Sequence, residues 1–468
     1  MCGGTFKDTT MRRKTQAQDE EKILVGMDAH SEKLELCIAR WTHGSDPVRC
    51  KSITTTVDAL ESTYLKQVPQ GSLTLIEASQ NTFSIVERLR RIGYEAKVLN
   101  SDVLRGMARR DRINDRIDAE NLAKAYARGH GREVHVPGEK HREYRDVLFG
   151  YFSAAKDALR SWNRVWGFCS AHGMKLPKGG RLNAAKNVES ALKDATLTET
   201  QRFVGNMDVE QFKSALELKG RFQRQIELTV SKDKDMQALM QILGFRFIVS
   251  FALVAFVEDV RRFPAPSKLV AYIGLNPRMN SSGKDEGGNA MTSCGIPRLK
   301  ALVTEAAQIS LRRGDAPMHR WARRKLAEGK PYNKVIGALA RKMVVYAWHV
   351  LMGHPAPNCE MEASFTRKLE LLGTRIGRDE LRAQGFADKR KFAASIACLF
   401  YPKASTSSPS HDAYAEINAD AGGLCEGPSD RLGTPPRVKK PASSSLTTQR
   451  TARVHTKAED CRNLEDKP

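Results

Sequence analysis

ILVGMDAHSEKLELCIAR, residues 23–40, decides how the chain is read. Its first six residues are an apolar run that closes on an acid, Asp28, and its last seven, LELCIAR, read as a strand by alternation. VRCKSITTT (48–56) follows closely and reads as a third strand by its threonines. VDALESTYLKQV then has helical spacing, and LTLIEA (73–78) is another buried-type strand that ends in an acid, Glu77. TFSIVERLRRIGY is an amphipathic helix, AKVLN (96–100) a short strand, and RIDAENLAKAYARG a helix.

Three strands in quick succession, then alternating helix and strand, is the element order of the α/β ribonuclease H-like fold. In that fold the first and fourth strands are neighbours and the last helix packs beside them. Asp28, Glu77, and Asp115 with Asp118 at the start of the last helix would then converge on one spot. Residues three apart on a helix share a face, so both aspartates can point the same way. Converging carboxylates repel unless a cation sits among them, and oxygen ligands suit Mg²⁺ or Mn²⁺. Two such ions can clamp the attacking and leaving oxygens of phosphoryl transfer. Arg105, Arg109, Arg110, Arg112 and Arg116 would hold the anionic backbone being delivered. The plainer alternative makes Asp115 and Asp118 helix N-terminal acids paired with nearby arginines. Asp28 and Glu77 weigh against it, because an acid closing an apolar strand is costly to bury without a partner.

The chain has 468 residues, room for two or three domains, and 41% of them are hydrophobic. A formal charge of +22 and a pI near 9.7 call for a polyanionic partner. Nucleic acid is preferred to an anionic membrane: the best apolar run, FIVSFALVAFV (247–257), is too short to span a bilayer and reads as a buried core helix. The opening 22 residues are polar and charged, so no signal peptide is expected. The nine cysteines include no C-x-x-C pair, and neither a zinc site nor a disulfide framework is expected. His130, His135 and His141 fit no metal-ligand spacing. Residues 1–21 read as a flexible N-terminus, 136–235 as a charged helical spacer, 356–402 as a helical extension, and 403–468, rich in Ser, Pro and Thr, as a disordered tail.

NSSGKDEGG (280–288) lies on a loop between two helices. It lacks the Walker A spacing and could be a phosphate-gripping turn, a nucleophile or an ordinary flexible loop. Arg278, Lys284 and Arg298 lie near enough in sequence to stabilise negative charge there.

Two motif sets occur in order: GMDAHSEKLELCI, LIEAS and NDRIDAENLAKAYARG, then RRFPAPSKLVAYIGLNPR, SSGK, GIPRLKALVTEAA and NKVIGALARKM. Together they resemble the DEDD-motif transposases of the insertion-sequence one-ten family, which includes the Piv-type DNA invertases. The likeness covers roughly residues 22–135 and 236–352. It implies a RuvC-like domain (22–135) whose Asp28, Glu77, Asp115 and Asp118 hold Mg²⁺ or Mn²⁺. It also implies a second domain (236–355) with a serine nucleophile, Ser282 by motif and Ser281 as the fallback. Expected partners are double-stranded DNA of element and target, a structured guide RNA and further copies of the chain, as a dimer or tetramer. The acids of one subunit would work beside the serine of another, in a cytoplasmic, nucleoid-associated protein. Two positions depart from the family pattern: Asn114 stands where a threonine is usual, and MTSCG replaces I-S-K-x-G with loss of a basic residue.

Three rivals remain. The nearest is a metal-dependent nuclease of the junction-resolvase kind, whose serine loop only binds backbone. A sugar kinase-like ATPase would need a glycine-rich turn where this chain has DAHSEK. The third is a non-catalytic nucleic-acid-binding protein.

Overall fold

The computed structural model describes residues 21–79, 81–100, 115–174, 181–194, 196–277, 281–282, 285–286, 291–292, 294–354 and 362–401. All of these belong to one compact unit, Met1–Tyr414, and the expected tail from 403 on lies outside the described residues. The first strands form a meander, β1 (Lys22–Ala29), β2 (Lys33–Trp41) and β3 (Val48–Thr56), paired antiparallel. After helix α1 (Leu60–Gln67) comes β4 (Leu73–Glu77), parallel to β1. Helix α2 (Thr82–Arg91) leads to β5 (Glu95–Leu99), parallel to β4. Helix α3 (Asp115–Ala127) precedes β6 (Glu133–Val134), a short antiparallel edge that the sequence did not announce. The result is a mixed six-stranded sheet in the order β3-β2-β1-β4-β5-β6, with β1 beside β4 as the element order required.

Strand periodicity sorts the two faces. Val25 and Met27 of β1, with Leu36, Ile38 and Ile76, pack against Leu60, Tyr64, Ile85, Val86 and Leu89 of α1 and α2. The alternate residues, Leu24 and Leu75 with Leu99, pack against Leu122 and Ala123 of α3. Gly26 lies between Leu24 and Asp28 on this second face, and α3 comes so close there that a Cβ would sit 1.8 Å from the Ala119 carbonyl oxygen. The helix therefore lies flat on β1 only because position 26 has no side chain.

The rest of the described chain is mainly helical. α4 (Glu139–Ala171) and α6 (Glu199–Val230) run antiparallel, with α5 (Arg181–Asp194) against their far end. Val165 and Cys169, Val188 and Leu192, and Val209 and Phe212 form the core of that arm. A Thr198–Gln201 capping box starts α6, each side chain bonding the other's backbone N–H. α7 (Lys234–Leu239) leads into α8 (Phe247–Val257), the apolar run, with ten of its eleven residues buried. Its last carbonyls are not orphaned. Arg145 donates to Ala255 O at 2.9 Å, Arg262 to Phe256 O and Val257 O at 2.9 Å each, and the Tyr272 hydroxyl to Phe256 O at 3.2 Å. No helix among the described residues is long and apolar enough to cross a membrane.

α9 (Pro266–Ile273), α10 (Pro297–Arg313), α11 (Pro317–Ala327) and α12 (Tyr332–Leu351) follow, and then α13 (Glu362–Ile376), α14 (Arg378–Ala383) and α15 (Lys389–Phe400). α13 is anchored by Lys368, a buried lysine whose ammonium donates to the carbonyls of Met240 (2.7 Å), Ile242 (3.1 Å) and Phe245 (2.9 Å). One charge thus satisfies the turn between α7 and α8. Lys368→Met keeps the apolar stem but strands those carbonyls, and is expected to cost about 3–5 kcal/mol. A lowered urea midpoint with an unchanged denaturant slope is the measurement that checks this.

Candidate active site

β1 and β4 are in parallel register, Met27 opposite Ile76. Asp28 and Glu77 each follow by one residue, so they end adjacent strands, and the pleat turns both to the α3 face. Asp115 and Asp118 occupy the first turn of α3, which Gly26 lets down onto β1. Sequence order alone would leave these acids in three segments; the register and the close packing at Gly26 bring those segments together.

A residue not anticipated from the sequence stands among these acids. His30 Nε2 lies 3.4 Å from Asp28 Oδ2 and 3.6 Å from Asp115 Oδ2. One ligand atom each from Asp28, His30 and Asp115 fall within 4.8 Å of one another, a group able to hold a metal ion. Lys33 Nζ approaches Asp115 Oδ2 at 3.5 Å and pairs with Glu35 Oε1 at 2.8 Å. Glu35 is directly opposite Asp28 in the β1–β2 ladder and is buried. Thr54 Oγ1 lies 2.8 and 2.9 Å from its two carboxylate oxygens, and Arg116 Nε lies 3.7 Å away. Arg116, read as a contact for the nucleic-acid backbone, thus reaches back to the sheet from an exposed position.

The electrostatics follow from this crowding. Burial first, and then the charges of Asp115 and Asp118, push the Asp28 carboxyl above its usual range, against the opposing pull of His30 and of the Ala29 N–H. Asp118 is raised for the same reasons, by burial and then by Asp115. Burial would also raise Asp115, but His30, Lys33 and its own backbone N–H outweigh it and hold this carboxyl below the ordinary value.

Glu77 is fixed through its backbone. Thr82 Oγ1 donates to Glu77 O at 2.7 Å and accepts from Ser79 N at 2.8 Å. Ser79 Oγ donates to Asn81 Oδ1 at 2.9 Å, and Asn81 Nδ2 donates to His30 O at 2.7 Å. The loop after β4 and the turn after β1 are therefore one hydrogen-bonded piece carrying Glu77 on one side and His30 on the other.

The serine segment is rooted between α9 and α10. Thr292 N donates to Asn276 O at 3.1 Å, Ile296 N donates to Ile273 O at 3.2 Å, and Pro277 bridges Met291. Gly274 and Gly295, both left-handed, touch backbone to backbone at this root; a Cβ on Gly274 would meet Cys294 O at 2.1 Å. Ser281 and Ser282 form strand β7, opposite Glu286 and Asp285 of β8. Arg298, at the start of α10, lays its guanidinium over the rings of Phe149 (5.1 Å) and Phe152 (5.3 Å) of α4. Arg105, Arg109, Arg110, Arg112, Arg278 and Lys284 lie outside the described residues.

His135 and His141 face an acid rather than one another. His135 Nε2 lies 2.7 Å from Glu258 Oε2, and His141 Nδ1 lies 3.7 Å from Glu258 Oε1. Glu258 also accepts from Gly138 N at 3.1 Å, so one carboxylate ties the start of α4 to the end of α8.

Residues 236–322, which hold the serine segment, match the family model described as transposase IS116/IS110/IS902 family. The chain is similar to the transposase for insertion sequence element IS1111A of Coxiella burnetii, 24% identical over 250 residues, which cover 53% of this chain and 68% of that protein. It is also similar to a protein of Pseudomonas aeruginosa named "Probable family 20 transposase", 25% identical over 301 residues, which cover 62% of this chain and 86% of that one.

Proposed function

We propose that the chain is an insertion-sequence transposase of the IS116/IS110/IS902 family, the family that residues 236–322 match, and that it cuts and rejoins DNA with two chemically distinct pieces. The first is a RuvC-like domain, residues 22–135, in which Asp28, Glu77, Asp115 and Asp118 hold Mg²⁺ or Mn²⁺. The second, residues 236–355, offers Ser282 as nucleophile, with 136–235 as the helical spacer between them. The observation that carries this reading is the meeting of Asp28 and Asp115 at one end of the sheet, with Asp118 close enough that Asp28 is raised by burial and by both aspartates, and Asp118 by burial and by Asp115. Such a set repels itself, and its donors fit a divalent cation. When bound, that cation supplies charge to stabilise a phosphodiester under attack.

The residues of the chain do the rest. Arg116, with Arg105, Arg109, Arg110 and Arg112 beside it in sequence, neutralises the DNA backbone that approaches the acids. Arg278, Lys284 and Arg298 do the same beside the serine. The Ser282 hydroxyl gives up its proton as its oxygen bonds to phosphorus, and the strand's own P–O bond breaks to free a hydroxyl end. A hydroxyl of the incoming strand then attacks the phosphoserine, restores the diester and releases the serine. By resemblance to the family, a structured RNA selects the two DNA partners, and a dimer or tetramer places the acids of one copy beside the serine of another.

The test is covalent trapping. Wild-type protein with end-labelled element DNA is expected to give a species that survives denaturation, and Ser282→Ala to give neither that species nor joined strands. Transfer of the adduct to Ser281→Ala but not Ser282→Ala would place the nucleophile at Ser282. Undiminished cleavage by Ser282→Ala would overturn the serine step and leave a metal-dependent nuclease of the resolvase kind.

A further inference from the structure

We propose that His30 is a nitrogen ligand of the cation held by Asp28 and Asp115, and that it biases this site toward Mn²⁺ over Mg²⁺. The proposal rests on the carboxylate-metal reading above and adds to it a residue outside the four acids.

His30 is the first residue past the end of β1, in the turn that leads to β2, and its ring comes back to the carboxylate of Asp28. Its outer ring nitrogen, Nε2, is the atom that meets both carboxylates, at 3.4 and 3.6 Å. Two bonds of about 2.1 Å to one small divalent cation span up to about 4.2 Å, so both separations fit a shared ion. The backbone around the ring is held from two sides: His30 N donates to Lys33 O at 3.0 Å, and His30 O accepts from Asn81 at 2.7 Å. A simple ion pair between a protonated His30 and the acids is the competing account. Lys33 already lies 3.5 Å from Asp115 and provides a fixed positive charge, so the site does not need the imidazole for that purpose.

The ligand type carries the selectivity. Both ions favour oxygen, but Mg²⁺ is the harder and loses its waters reluctantly, whereas Mn²⁺, at the weak end of the first-row transition series, still gains from a nitrogen donor beside carboxylates. A mixed oxygen and nitrogen set therefore gains more from Mn²⁺ than four carboxylates would. The His30 side chain is 53% exposed, so its replacement leaves the core intact.

Pulsed electron paramagnetic resonance on Mn²⁺ bound to the full-length protein reads this directly, with calorimetric titration of Mn²⁺ and Mg²⁺ alongside. The wild type is expected to show ¹⁴N coupling to bound Mn²⁺. His30→Ala should lose that coupling and bind Mn²⁺ at least about tenfold more weakly, since even residues that only support ligands contribute 10–100-fold. Its Mg²⁺ affinity should be little changed. Mn²⁺ bound without ¹⁴N coupling in the wild type, coupling that survives in His30→Ala, or an equal loss for both ions would overturn His30 as a ligand while leaving the carboxylate site standing. No Mn²⁺ binding by the wild type, or binding that Asp28→Asn leaves unchanged, would overturn the metal reading itself.

Discussion

Asp28→Asn is expected to give a folded protein that has lost strand cleavage by about a thousandfold or more, because a bound metal contributes several kcal/mol to the transition state and each ~1.4 kcal/mol is a factor of ten. The substitution keeps shape and removes charge. Asp28 ends a strand that is paired on both sides, with β2 and β4, and the neutral amide can occupy the same place. In the metal-free protein the carboxyl is raised by burial and by two neighbouring acids, so its charged form is disfavoured relative to the unfolded chain. Stability with aspartate therefore falls as pH rises from the ordinary carboxylate value, 3.8, through the raised one, and asparagine removes that loss. Activity should collapse while the thermal midpoint holds or rises. A catalytic assay paired with a melt on the same preparation checks both halves. Retained cleavage would refute the metal role of this acid, and a lowered midpoint would show that the aspartate supports the fold.

Gly26→Val should act in the opposite manner, destroying the site through the fold. A Cβ at position 26 would meet the Ala119 carbonyl oxygen at 1.8 Å and its carbon at 2.8 Å. Both are backbone atoms of α3, so no rotamer change relieves the clash, and the helix must rise from the sheet. That lifts Leu122 and Ala123 from Leu24, Leu75 and Leu99, and carries Asp115 and Asp118 away from Asp28. Ordinary overpacking costs ~1–3 kcal/mol, and a clash against fixed backbone is expected to exceed it, at about 4 kcal/mol or more. Loss of metal binding together with a substantially lower melting temperature is the predicted signature. Gly26→Ala should show the same pattern more weakly. Full Mn²⁺ affinity and unchanged melting in Gly26→Val would contradict the close packing described for α3.

The strands of the sheet were legible because each apolar run has a visible end: Asp28 and Glu77 stop two of them, and the threonines of 48–56 mark a third. The neighbouring of β1 and β4 followed from the order of elements. Contacts set by register or by distant packing were not legible. Glu35 faces Asp28 because three residues separate β1 from β2, and nothing in DAHSEKLE distinguishes Glu35 from Glu32 as the buried one. His30 was passed over in the same string, read only for its missing glycines. Lys368 looks like one more solvated lysine on an amphipathic helix until the turn at 240–245 is folded beneath it. Arg298, chosen for its charge, lies over two aromatic rings from a helix some 150 positions earlier in the chain.

The paired helices α4 and α6 set a rule for how this chain can change in length. With 33 and 32 residues they run about 50 Å side by side, back to back through Gly150 against Phe222 and Phe168 against Gly205. A single inserted residue would turn everything beyond it by about 100° and swing the apolar stripe off its partner. Compensated changes, near-whole turns in both helices at once, would keep the stripes facing while moving the tip by roughly 5 Å per turn. Insertions and deletions in this arm should therefore survive as matched steps across both helices rather than as gradual drift in either.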